Sequence, residues 1–163
     1  MIVIESNLNI SPREICDTFA LMSKKINEFY LYHLLSESKN NIVFYSFDET
    51  ETDAKNFPCG LIYNIEPHED TLNVYIMFVA TQYKYRKYGY ASLFIQEFID
   101  FIRKTYIDEY RKINIILDSI IDAVTFYERI GFKWIMTDEY NETFYVFPES
   151  DVEHFIMIYE VFK

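Results

Sequence analysis

Val79-Ala80-Thr81-Gln82-Tyr83-Lys84-Tyr85-Arg86-Lys87-Tyr88-Gly89-Tyr90-Ala91-Ser92 closes a strand-like run that begins at Val74, and an amphipathic helical pattern follows it directly. The chain has only 3 glycines, and one of them, Gly89, stands three residues after Arg86 and two before Ala91, giving Arg-x-x-Gly-x-Ala where strand becomes helix. The first amides of a helix have no intrahelical partner and sit at the positive end of the macrodipole, so this junction is laid out to hold an anion such as a phosphate. Ala91, Phe94, Ile95, Phe98 and Ile102 recur at helical spacing and predict a core-facing helix from about Gly89 to Tyr106.

A second stretch, Ala123-Val124-Thr125-Phe126-Tyr127-Glu128-Arg129-Ile130-Gly131-Phe132, reads as a short helix that stops at a left-handed glycine and turns into an aromatic strand. In sequence order, with a helix and a strand between them, the two stretches resemble the pyrophosphate loop and the second motif, Ala-x-x-x-Tyr-x-x-x-Gly-Phe, of the GCN5-related N-acetyltransferase (GNAT) family. The resemblance implies an α/β (α+β) fold of the GNAT acyl-CoA N-acyltransferase type: a mixed, mostly antiparallel central sheet of six to seven strands with about four helices, in one domain over residues 1–163.

The remaining elements suit that order. A strand is expected at Ile2 to Leu8. Ser11-Pro12-Arg13-Glu14 is a capping box with proline at the first helical position, so helix, in one or two pieces, is expected from Pro12 to Leu35. Ile42 to Phe47, Gly60 to Ile65 and Thr71 to Ala80 read as antiparallel strands rich in β-branched and aromatic residues, and Ile113 to Leu117 as a strand buried on both faces. Asp122 is a candidate helix cap. Strands are expected at Phe132 to Met136, Thr143 to Phe147 and Phe155 to Phe162, the last either closing the sheet or pairing across a homodimer.

With 163 residues, half of them hydrophobic, the chain can bury one core and is too short for two. The absence of a long apolar run and of a basic, cleavable N-terminal segment predicts a soluble, cytoplasmic protein with no membrane contact. Cys16 and Cys59 are expected to be reduced, buried thiols, and the three scattered histidines form no metal-ligand spacing. A net charge of −11 argues against nucleic-acid binding, which needs cations to neutralise phosphates. The heavy use of Ile, Tyr, Phe, Asn and Lys suggests an AT-rich genome. Lys84, Arg86 and Lys87 are concentrated in the loop, with Arg103, Lys104, Arg111 and Lys112 beyond it, while acids cluster at residues 48–53, 66–70, 138–139 and 149–153. This separation reads as a basic pocket for a polyphosphate beside an acidic surface for a cationic acceptor, or equally as acids that only confer solubility.

By that resemblance the partners are acetyl-CoA and a primary amine. Arg86 and the main chain of Lys87, Tyr88, Gly89, Tyr90, Ala91 and Ser92 would hold the pyrophosphate, and Val79, Ala80 and Thr81 would meet the pantetheine as an added strand would. Tyr127 would protonate the leaving thiolate, and Phe126 and Arg129 would line the nucleotide side. Keeping a lysine-like amine neutral at pH 7 costs about 4.6 kcal/mol, so a base is needed. Three positions depart from the family pattern. Tyr75 stands where some protein-acetylating members carry a glutamate base, which leaves Asp118, acting through water, as the candidate. Ile120 replaces a frequent asparagine, and Lys87 replaces the first glycine of the common Arg-Gly-x-Gly form. These departures also admit a catalytically degenerate module that binds CoA or a protein partner.

Overall fold

A computed structural model of the protein describes residues 2–4, 10–22, 28–144 and 153–163. Seven strands form one sheet: β1 (Ile2–Ile4), β2 (Asn41–Tyr45), β3 (Cys59–His68), β4 (Thr71–Thr81), β5 (Lys112–Ile120), β6 (Lys133–Trp134) and β7 (His154–Phe162). Their order across the sheet is β1-β2-β3-β4-β5-β7-β6, antiparallel except for the parallel β4–β5 pair. The helices are α1 (Pro12–Met22), α2 (Glu28–Ser36), α3 (Tyr90–Tyr106), α4 (Val124–Ile130) and the single turn α5 (Asn141–Phe144). The α3 segment supplies the crossover that any parallel strand pair requires.

Local chemistry explains most boundaries. Ser11 and Glu14 exchange main-chain and side-chain bonds at 3.2 and 3.3 Å, so the capping box starts α1 as expected. Helix α3 buries Phe94, Ile95, Phe98, Ile99 and Ile102 against one sheet face, each worth about 1.5–3 kcal/mol of apolar burial. Ile99 joins that stripe, whereas Ala91, expected in the core, lies at its half-exposed edge. The opposite face takes α1 and α2. There Gly60 of β3 lets Phe19 approach so closely that an added Cβ would stand 2.5 Å from its Cε1. Cys16 and Cys59 are buried and form no disulfide with each other.

Several expectations are corrected at the edges. The first strand is described only over Ile2–Ile4, and the rest of the expected stretch to Leu8 lies outside the described residues. Thr143 sits in α5 instead of a strand, because Tyr140 and Phe144, four residues apart, pack their rings 6.1 and 5.8 Å from Tyr75, which requires a helical turn; residues 145–152 are outside the described set. Asp122 caps nothing: it lies within a turn of 3₁₀ helix, and α4 begins from Ala123 without a side-chain cap. Strand β7 pairs with β5 along its full length and with β6 at Met157 and Ile158. Among the described residues no helix is long and apolar enough to cross a membrane.

Candidate active site

The site begins where β4 and β5 part. Their parallel ladder ends at Ile76↔Leu117, yet both strands run on, to Thr81 and Ile120. A bulge helps to open them: Tyr63 pairs with Ile76 and Ile62 with Phe78, which leaves Met77 as an extra residue on β4. The Met77 carbonyl is taken by the Tyr30 hydroxyl of α2, which donates to it at 2.9 Å. Past the bulge, Gln82 N–H donates to the Pro58 carbonyl at 2.8 Å, one step beyond the Cys59↔Thr81 pair. Bonded and non-bonded pairs alternate along an antiparallel ladder. Phe78, Ala80 and Gln82 therefore turn their main-chain groups toward β3, and Val79 and Thr81 turn theirs into the opening.

The loop that follows is shaped by two left-handed residues, Lys87 at φ 70° and Gly89 at φ 82°. Position 87 is where the common family pattern has its first glycine, so Lys87 holds a conformation costing an L-residue roughly 1–2 kcal/mol. A Cβ at Gly89 would meet nothing within 4 Å, so that face of the loop looks into open space. The chain then enters α3, whose leading amides lack helical partners.

A cleft of about 690 Å³ lies over this junction, lined by Val79, Ala80, Thr81, Arg86, Lys87, Gly89, Ala91, Ser92, Phe126 and Tyr127 among others. A smaller cleft of about 310 Å³ sits on the other side of the strand opening and contains Asp118. Phe78, Val79, Ala123 and Tyr127 line both, so the two clefts share this wall.

Tyr127 is 8% exposed, and burial pushes its hydroxyl up to about 12, so it is a neutral donor at physiological pH. Burial also raises the Asp118 carboxyl, against the opposing pull of His154. Asp118 Oδ2 lies 2.9 Å from His154 Nδ1, while Oδ1 is buried with no hydrogen-bond partner among the described residues. Asp118 and His154 face each other diagonally: β5 and β7 pair Asp118↔Ile156 and Ile120↔His154, which puts both side chains on the face away from α3.

Eleven of the fourteen expected site residues line one of the two clefts, and Tyr88, Tyr90 and Arg129 line neither. Tyr88 is 72% exposed and Tyr90 packs edge-on against Phe47 and Tyr85 and tilted against Tyr45, and neither residue lines the larger cleft. Arg129 is exposed in the last turn of α4 and outside the cleft lining. Ala80 lines the cleft by position, but its main-chain groups belong to the β3 ladder. Arg86 lines the cleft while its guanidinium donates to main-chain carbonyls, Nε to Thr81 at 3.3 Å and Nη2 to Met22 at 2.8 Å. The cause is the C-terminal end of α1, whose last carbonyls lack helical partners and attract a cation. Lys87 lines the same cleft and brings a second cation to it.

The wider basic region is also corrected. Arg103, Arg111 and Lys112 lie at the far end of α3 and the start of β5, about 25 Å along the helix from the loop. There they pair with Asp100, Asp70 and Glu160. Tyr75 is buried, is pushed up to about 12 by burial and packs on Tyr140, and so is no base. Ile120 lines the smaller cleft with an apolar side chain. The residues that the linear reading overlooked are His154 and Tyr30. Neither carries a local signal, because 36 residues separate His154 from Asp118 and only the β5–β7 register joins them.

This arrangement, with one parallel strand pair splayed at a bulge and a helix N-terminus beside the opening, is the GNAT acyl-CoA N-acyltransferase fold. No protein-family model matches the chain, and no curated protein matches it in sequence. The likeness is three-dimensional. Tetrahymena GCN5 superposes with a TM-score of 0.65, at 12% identity, over 99% of this chain and 93% of its own. The Escherichia coli ribosomal-protein-S18-alanine N-acetyltransferase gives 0.63, at 12% identity, over 100% and 96%. Arabidopsis thaliana NAA60, in complex with a bisubstrate analogue, gives 0.63, at 15% identity, over 98% of each chain.

Proposed function

We propose that the protein is an N-acetyltransferase that moves an acetyl group from acetyl-CoA to a primary amine by direct attack. The observation that carries this reading is the junction of the two clefts at Val79 and Tyr127, with anion-holding backbone at one end and an acid at the other. The similar structures of Bacillus subtilis acetyltransferase and Arabidopsis NAA60 were determined with CoA and with acetyl-CoA respectively, which supports the same ligand here. The residues present suit it: the Lys87–Gly89 loop and the first amides of α3 for the pyrophosphate, and the main-chain groups of Val79 and Thr81 for the pantetheine amides.

Chemistry follows from what faces the junction. The Val79 amide is the donor placed to stabilise negative charge on the thioester oxygen as the amine adds, the kind of contact whose loss costs about 100-fold or more in rate. Tyr127, neutral at physiological pH, donates to the departing sulfur. Asp118 accepts a proton from the amine. The protein is proposed to work as one domain over its 163 residues.

Calorimetric titration with acetyl-CoA, using desulfo-CoA for reference, tests the reading. A micromolar Kd is expected, weakened at least 100-fold by Gly89→Asp, which places bulk and negative charge on the open face of the loop. Absence of binding at millimolar acetyl-CoA would sink the enzyme reading and leave a non-catalytic module on the same fold.

A further inference from the structure

The smaller cleft has ten lining residues, and Asp118 is the one that carries a charge; Ile76, Met77, Phe78, Leu117 and Ile120 make most of the wall. Its carboxylate is half engaged. Oδ2 meets His154 Nδ1 at 2.9 Å, and Oδ1 is buried without a hydrogen-bond partner among the described residues. A buried carboxylate oxygen left without a donor is costly, so such an atom on a residue that lines a cleft calls for a cationic donor that arrives from outside. The Tyr30 hydroxyl, close enough to feel the Asp118 charge, has its one proton committed to the Met77 carbonyl at 2.9 Å.

We propose that Asp118 Oδ1 receives the acceptor's ammonium group and takes its proton, that His154 is the positioning residue holding the other carboxylate oxygen, and that the acceptor is a primary amine with a single positive charge on an apolar stem. This rests on the acyl-transfer reading above. A polyamine would bring further charges against apolar walls that offer nothing to pair them. Among the described residues lining the cleft, no second acid supplies that pairing, and Asp53, Glu14 and Asp17 line a separate cavity beside α1.

The step balances. The ammonium gives one proton to Oδ1, and the freed lone pair forms the C–N bond as the C–S bond breaks. The second N–H proton lost on amide formation replaces the one that Tyr127 gives to the thiolate, and Asp118 returns its proton to water. Nothing is oxidised or reduced. Burial, which raises the Asp118 carboxyl, makes it a better proton acceptor than an exposed aspartate.

Thiol release with phenethylamine and with spermidine tests the proposal, with acetyl-CoA titrated calorimetrically into every variant. Phenethylamine is expected to give kcat/KM at least tenfold above spermidine. Asp118→Asn should lower kcat/KM for the amine at least 100-fold while the acetyl-CoA Kd stays within threefold; Asp118→Ser stands in if the asparagine variant fails to fold. His154→Ala should lower kcat about tenfold, and His154→Asn, which keeps an amide donor toward Oδ2, should recover most of it. A preference for spermidine, an Asp118→Asn variant within threefold of wild type, or no rescue by His154→Asn would overturn the proposal while acetyl-CoA binding stands. Wild-type protein that fails to bind acetyl-CoA would overturn the acyl-transfer reading, and this one with it.

Discussion

The two clefts that meet at Val79 and Tyr127 are built in opposite ways. The larger one is nearly continuous in sequence: the end of β4, the Lys87–Gly89 turn and the start of α3 follow one another, and α4 adds Phe126 and Tyr127. It works mainly through backbone, with amides of a helix start, strand groups turned outward by ladder parity and two left-handed residues. The smaller one is discontinuous and works through side chains. Met77 from the bulge and Asp118 from β5 line it, and behind them Tyr30 of α2 bonds the Met77 carbonyl and His154 of β7 meets Asp118, contacts that arise only between elements distant in the chain. A ligand common to many proteins of one fold is suited to the first construction, since phosphates and amides ask only for donors. A ligand particular to one protein needs the second.

The largest effect should come from the shared wall. Tyr127→Phe is expected to lower kcat about 100-fold, within the range for loss of a proton donor, and to leave the acetyl-CoA Kd within threefold. An equal loss of binding and turnover would mean that Tyr127 belongs to the larger cleft alone and that the two clefts do not share it. A smaller effect lies within the backbone-built cleft. Lys87→Gly relieves a left-handed lysine and should stabilise the fold by about 1 kcal/mol in denaturant melts, less whatever the freer unfolded chain takes back, while loss of the cation weakens acetyl-CoA a few-fold. A destabilised Lys87→Gly protein would show that the loop is held by the lysine side chain and not by its backbone.

The smallest effect sits in the side-chain-built cleft and depends on pH. Burial raises the Asp118 carboxyl, so the folded protein holds that proton more tightly than the unfolded chain does. Below the unfolded carboxylate range this group favours the fold. As pH rises through the raised folded value that contribution is lost. Asp118→Asn should therefore gain stability relative to wild type as pH rises through the window above the unfolded aspartate value of about 4, read in paired melts. A difference that stays constant across this window would mean that Asp118 is solvated and no special proton acceptor.

How much of this could be read from the chain follows the same division. Gly89, Ala91 and Tyr127 stand at fixed short spacings, and a helix start or a left-handed stop is a local event that needs local residues. No local residue foretells that Arg86, which lines the larger cleft, also donates to the end of α1, 64 residues away. The strand expected at Thr143 failed because Tyr140 and Phe144 answer to Tyr75 on β4 instead of to their neighbours in sequence. His154 was one of three scattered histidines until the β5–β7 register set it diagonally across from Asp118.

The amino-acid sequence by itself determined the order of elements, the apolar stripe of α3, the capped start of α1 and the glycine turn before α3, because periodicity, caps and glycine conformation act over a few residues. Only the tertiary structure decided where β4 leaves β5, which main-chain groups turn into the opening, and which Asp118 oxygen is buried without a partner among the described residues. Those depend on register and on burial, and both arise between residues that are distant in the chain.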